Sequence, residues 1–266
     1  MPIGGDLAGA AWKEIALQDL TPMMILAIAG GLAAGGLVKG VIGMGLPLVA
    51  VPIMTLFVPV PVAVSVMSFP IIVANLWQGW QGGLWRQVVR RAWPLLAAQP
   101  IGMVAGVAVL AWAEPRIVIG MLGVLTILFV AMAHYQPDTV MSPAQERWVA
   151  PAMGLCSGFS GGVSSFFGTP IAIYLFLLGL KKDEFVAAIG VTYAYGGIVL
   201  IITLWAFGVL GMELSAWSLL ATPAVFAGMW VGQQLRRMLN ADTFRIVVLV
   251  VLFIAGLNML RRALMG

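Results

Sequence analysis

Charge is what this sequence has least of. Only 9% of its 266 residues are Asp, Glu, Lys or Arg, against roughly a quarter in a soluble domain, so a water-soluble fold is excluded. A single cysteine, Cys156, allows no intramolecular disulfide, and without a CxxC pair or a histidine partner it offers no structural zinc site. It reads as a small packing residue. The single histidine, His134, ends an apolar run beside Tyr135 and reads as an interfacial anchor rather than a proton relay. No HExxH pair occurs, and Glu114, Glu146, Asp183, Glu184, Glu213 and Asp242 belong to loops or span ends. Ser164 and Ser165, the plausible nucleophiles at depth, therefore have no base. Neither an enzyme, a cofactor nor a metal is expected. The net charge of +4 sits at the ends of apolar runs, where lipid headgroups and topology account for it, so nucleic acid is not expected as a partner.

What is abundant is apolar sequence, 62% of the chain. Runs at about 62–81, 94–112, 117–134, 185–207, 217–235 and 243–260 are each long enough to cross a hydrocarbon layer of about 30 Å. Residues 1–20 carry Asp6, Lys13, Glu14 and Asp19 and read as a short tail rather than a signal peptide. Two further stretches, 21–58 and 150–179, are apolar but studded with glycine and proline. The second would be about 45 Å long as a helix, too long for one straight span and too short for two.

A shift of 123 residues lays these two stretches on one another without a gap. Gly31, Leu32, Gly35, Gly45 and Pro47 fall on Gly154, Leu155, Gly158, Gly168 and Pro170. The same shift takes Pro100 to Pro223, and with a small insertion Arg116-Ile117-Val118 falls on Arg245-Ile246-Val247. The positive-inside rule then places the loops with Arg86, Arg90 and Arg91, with Lys181 and Lys182, and with Arg236, Arg237 and Arg245 in the cytoplasm, and the loop around Glu213 outside. Equivalent loops fall on opposite sides, so the repeats are inverted. Arg261 and Arg262 run against this topology but are outnumbered. The expected fold is all-α: a polytopic membrane protein of two inverted repeats, each a re-entrant broken-helix hairpin plus three transmembrane helices. Its parts are an N-terminal tail (1–20), a first repeat (21–134), a cytoplasmic linker (135–149) and a second repeat (150–262).

Broken chain in a bilayer must be buried in protein or line a wet cavity, because an unpaired peptide group in hydrocarbon costs several kcal/mol. The segments from Gly40 to Pro47 and from Gly161 to Pro170 are therefore expected to form half-helices ending near mid-membrane, whose free N–H groups attract anions. That makes Gly43, Met44, Gly45, Pro47, Ser164, Ser165, Gly168, Thr169 and Pro170 candidate binding positions. Gly31, Gly35, Gly154 and Gly158 fit close helix packing better. Two roles suit Lys39: an anion or proton site in the membrane, or a side chain that snorkels to the interface. Asn75 and Gln78, one turn apart, suit either ligand contact or helix–helix hydrogen bonding. Gln99 beside Pro100, Thr222 beside Pro223, and Thr192 with Tyr193 and Tyr195 have the same two readings.

At these motifs the chain resembles the sulfite exporter TauE/SafE family, also called the transmembrane protein family of unknown function 81. The resemblance rests on Gly30-Gly31-Leu32-Ala33-Ala34-Gly35-Gly36, on Gly43-Met44-Gly45-Leu46-Pro47-Leu48 with Pro52, on Gly154 to Gly158, on Gly168-Thr169-Pro170, and on the duplicated layout. It implies a permease of the cytoplasmic membrane that exports or takes up a small sulfur-containing or carboxylate anion, such as sulfite, a sulfonate or sulfoacetate, driven by protons. Family members often carry glycine runs where this chain has Gly43-Met44-Gly45 and Ser164-Ser165-Phe166-Phe167, so bulky Phe166 and Phe167 set its second motif apart. The expectation is a secondary transporter working by alternating access, with a small anion, protons and membrane lipids as partners; the alternative is an anion channel whose pore is lined by the same hairpin tips.

Overall fold

The computed structural model describes residues 21–82, 85–133, 140–180, 182–236, 238 and 241–265. The tail 1–20, His134, Tyr135, Lys181 and Arg237 lie outside them. The described residues form ten helices and no strand: α1 (Pro22–Ile42), α2 (Leu46–Met54), α3 (Val60–Gly82), α4 (Trp85–Trp112), α5 (Pro115–Met132), α6 (Pro143–Ser164), α7 (Gly168–Leu177), α8 (Lys182–Ala206), α9 (Met212–Arg236) and α10 (Ala241–Met265). Seven of them, α1, α3, α4, α5, α8, α9 and α10, are long and apolar enough to cross a membrane. The fold is all-α and polytopic, as expected. Ile101, Ile202, Leu220, Val251 and Ile254 are all more than half exposed in mid-helix, which suits a lipid-facing surface.

Several boundaries differ from the sequence reading. The helix α4 has 28 residues and is therefore about 42 Å long. Arg86, Arg90 and Arg91 are in its first turns rather than in a loop, because an arginine-bearing turn can project past the hydrocarbon while its backbone stays paired. Arg245 likewise belongs to α10. Pro70, Pro94, Pro100 and Pro223 all sit inside helices without ending them, since lipid offers the freed carbonyls no alternative to a helical neighbourhood.

The glycine-rich stretches are hairpins with unequal legs, not pairs of half-helices. The first legs are α1, with 21 residues, and α6, with 22, each more than about 30 Å long. Only the return legs are short, 9 residues in α2 and 10 in α7. The long legs persist because their starts are capped and their glycines pack against backbone. Thr21 accepts a hydrogen bond from the N–H of Met24, ahead of Pro22. Ser142 and Gln145 form a reciprocal capping box, so the stretch read as a linker to residue 149 is already helix from Pro143. Three residues turn each hairpin. Gly43 and Gly45 have φ of 92° and 96°, and Ser165 has φ of 60°, a left-handed conformation that only glycine adopts without strain.

Helix partners exchange under the 123-residue shift. Gly36 of α1 lies against the carbonyl of Val225 on α9, and Gly102 of α4 lies against Leu155 and the N–H of Phe159 on α6; the numbers correspond, since 36 + 123 = 159 and 102 + 123 = 225. Both crossings bring backbone onto backbone. Gly31 and Gly35, by contrast, hold α2, with Met54 Cγ and Ala50 Cβ each 3.0 Å from their Cβ positions, whereas Gly154 and Gly158 hold α4 through Leu95 and Gln99. Equivalent glycines thus serve different neighbours.

Candidate functional site

A cavity of about 230 Å³ opens among the two hairpins, α5 and α10. Its wall runs from Ala133, Phe176 and Arg245, at the end of the molecule that carries most of the arginines, inward to Leu48, Thr169 and Leu252. Met44 and Gly45 bring the first hairpin tip into it, and Thr169 brings the first turn of α7. Apart from Thr169 and Arg245, the described lining is apolar. The Arg245 guanidinium donates to the carbonyl of Ala133, the last residue of α5's turn, so the cation is fixed at the mouth.

Inward, the cavity is stopped by packed rings and branched chains. Leu48, Phe166 and Leu252 form a buried cluster with Phe129 against it, and the Phe129 and Phe166 rings meet edge to face with centroids 5.2 Å apart. Beyond Phe166, on the side of Pro52 and Leu122, only about 10 Å³ of space remains, room for one water at most.

Lys39 is buried and does not line this cavity. It lies on α1 between Val38 and Ile42, which do, but its Nζ turns to α3 and donates to Asn75 Oδ1 at 2.7 Å and Gln78 Oε1 at 2.8 Å. Asn75 in turn donates to the carbonyl of Ile71 at 2.6 Å, and Gln78 to that of Val186 at 3.4 Å. Lys39 is the one charged side chain that is buried among the described residues. Two amide oxygens offset part of the cost of holding an ammonium there. Snorkelling is not what it does.

The remaining predicted residues divide by how far their polar atoms are committed. Thr192 donates to its own helix at Ala188, 2.7 Å away. Ser164 donates to the carbonyl of Ser160 at 2.6 Å and accepts from the N–H of Phe166, while Ser165 donates to the carbonyl of Val64. These hydroxyls are bound up in backbone. Pro47 and Pro170 lie in the first turns of α2 and α7, and Gly43 in the first tip. Gln99 is different. It is fully buried on α4, and neither its Nε2 nor its Oε1 has a hydrogen-bond partner; the same holds for the hydroxyl of Tyr193 on α8. Tyr193 stands near Gly168, where α7 begins without a side-chain cap, and Gln99 reaches Gly196 of α8 beside the ring of Phe167, the residue before Gly168.

Sequence reasoning placed Arg245 in a loop and passed over it. The signal was present in the match of Arg116-Ile117-Val118 with Arg245-Ile246-Val247, which puts the arginine at the start of a span.

A family model described as sulfite exporter TauE/SafE matches residues 26–259, nearly the whole chain. No curated protein and no solved structure matches.

Proposed function

Because the chain belongs to the sulfite exporter TauE/SafE family and is a multi-pass membrane protein, we propose that it is a secondary transporter moving a small anion across the cytoplasmic membrane. The substrate class is sulfite, an organosulfonate or a related sulfur-containing or carboxylate anion; the proton is the coupling ion, and access alternates. The observation that carries this reading is the cavity of about 230 Å³ walled by both hairpins, with Arg245 at its mouth and the start of α7 at its inner end. A guanidinium at the entrance attracts anions, and a helix N-terminus favours them over cations. Return legs of paired hairpins are also where transporters of duplicated architecture hold their cargo.

The two inverted repeats, 21–134 and 150–262, are part of the proposal and are supported by the exchange of helix partners under the 123-residue shift. The arginine-rich side is then cytoplasmic, and the cavity faces inward. Packing of Phe166, Leu48 and Leu252 across its inner end favours a transporter shut on its outer side over a channel with a continuous pore.

In proteoliposomes the purified protein is expected to carry sulfite with a rate that saturates, rises with an imposed pH gradient, and is accelerated by unlabelled sulfite on the far side. Flux that never saturates and shows no such acceleration would identify a channel instead, and absence of flux would reject transport. Arg245→Gln is expected to raise the half-saturating concentration about fivefold at unchanged maximal rate, the loss of ~1 kcal/mol of attraction for a part-exposed charge.

A further inference from the structure

We propose that the unpartnered polar atoms at the start of α7 coordinate the carried anion, and that the site takes it in its singly protonated form. The inference rests on the transporter reading and adds to it the coordinating groups and the route of the coupled proton.

The buried amide of Gln99 and the hydroxyl of Tyr193 leave three polar atoms without partners. Each costs about 1–3 kcal/mol when it stays so, and native interiors retain such groups where something else completes them. Both side chains stand beside the ring of Phe167. The Tyr193 hydroxyl lies 2.8 Å from the Cβ position of Gly168, the first residue of α7, and Gln99 Nε2 lies 2.8 Å from that of Gly196 on α8. The ring of Phe167, the residue before Gly168, joins them: its Cδ1 is 3.2 Å from the same Gly196 position, and its centroid is 5.9 Å from that of Tyr193. The same ring edge fills the place where Gly161 lacks a side chain. The helix α7 is ten residues long and no side chain caps it, so its first N–H groups add to the same field.

The balance of donors and acceptors narrows the ligand. Tyr193 O–H, the Gln99 amide N–H and the N–H groups of the first turn of α7 all donate to an oxyanion. The Gln99 carbonyl only accepts. A fully deprotonated oxyanion has nothing to give it and is repelled by it, whereas a singly protonated one, such as hydrogen sulfite, donates its own O–H. The proton then travels on the cargo and no side chain needs to titrate. The surrounding helices agree. No acid, lysine, arginine, histidine, tyrosine or cysteine occurs on α3 itself; the Lys39 ammonium reaches α3 from α1, where Asn75 and Gln78 hold it. The charges nearest along the others, Arg91 on α4, Arg147 on α6 and Glu184 on α8, are more than two helical turns from Gln99, Gly158 and Tyr193 respectively. Tyr174 on α7 is engaged with Glu146, and Cys156 is exposed on the outer face of α6. Tyr195, two residues beyond Tyr193, points to the other side of α8. In this conformation the buried Phe167 ring packs against Gly161 and Gly196 beside both side chains, and under the proposal it withdraws as the anion arrives.

The test is sulfite binding to the full-length purified protein, measured by calorimetry on either side of the last ionisation of sulfite, with sulfate as the anion that stays doubly charged. Wild-type protein is expected to bind sulfite about tenfold more weakly one pH unit above that ionisation, in proportion to the protonated fraction, and to bind sulfate more weakly still. Tyr193→Phe and Gln99→Leu should each weaken sulfite binding about tenfold. Their ligand-free melting temperatures should be unchanged or raised, since each removes an unpartnered polar group; a merely structural role predicts a fall. Wild-type binding that both variants retain overturns the site. Binding that tightens as sulfite loses its last proton overturns the protonated form. A wild-type protein that neither binds nor carries sulfite rejects the transporter reading itself, which separates that failure from the other two.

Discussion

Gly158→Val is expected to prevent the protein from accumulating in folded form. At Gly158 the backbone of α6 lies on the backbone of α4, so a Cβ would collide with the carbonyl oxygen of Gln99 and sit 2.8 Å from the N–H nitrogen of Met103. Neither obstacle is the end of a flexible side chain, so relief requires the two helices to part. Gly102, Gly106, Gly154 and Gly162 lie along the same crossing with similarly close approaches, and separation at one would loosen the whole seam. Overpacking a core usually costs ~1–3 kcal/mol. Here the backbone itself must move, and about 4 kcal/mol or more is expected, a large share of the roughly 5–15 kcal/mol that holds a domain together. Gly30→Ala is the matched control, because nothing lies within 4 Å of its Cβ position. It should leave the melting temperature unchanged or raise it slightly through better helix propensity. Size-exclusion profiles and thermal unfolding in detergent check both; equal behaviour of the two variants would falsify the packing argument.

Lys39→Met should lower sulfite flux at least tenfold while shifting the melting temperature by only a few degrees. The two effects differ because they draw on different terms. For stability, methionine keeps the length of the chain and removes a charge whose burial is itself costly, which offsets the hydrogen bonds lost to Asn75 and Gln78. Transport has no such compensation under the proposed function, since Lys39 is the one buried positive charge among the described residues and its neighbours Val38 and Ile42 form cavity wall. Losing about 1.4 kcal/mol of attraction for an anion in the low-dielectric interior is enough for a factor of ten. Initial rates in proteoliposomes, with protein content equalised, decide it. Flux at the wild-type level would make the lysine a structural strut between α1 and α3.

The membrane class, six of the seven long apolar spans and the positions of both chain breaks were readable before any coordinates, because each follows from local chemistry. A run of apolar residues as long as the bilayer is thick has one stable solution, and Gly43, Gly45 and Gly168-Thr169-Pro170 mark where the helix gives way. The seventh span was missed as such. Residues 22–42 contain Gly30, Gly31, Gly35, Gly36 and Gly40, and counting glycines does not reveal whether they break a helix or let another helix come close. Here four of them do the second, Gly31 and Gly35 toward α2 and Gly36 and Gly40 toward α9.

The candidate site was legible in part for the same reason. Chain order identifies Lys39, Asn75, Gln78 and Gln99 as polar residues in apolar surroundings, but it gives no direction to a side chain. Whether Lys39 meets Asn75 or opens into the cavity depends on how far α1 is rotated against α3, and that rotation is fixed by the seams at Gly36 and Gly40. Arg245, on a helix that carries none of the candidate binding residues, enters only because α5 and α10 pack side by side.

Local sequence was therefore enough to settle that this chain lives in a bilayer, where its helices run and where they break, since hydrocarbon forbids unpaired backbone and leaves few alternatives. Which polar groups share a cavity, which are spent on backbone and which remain unpartnered came from the helix crossings. Those depend on backbone-to-backbone packing between segments more than 50 residues apart, which no stretch of sequence carries alone.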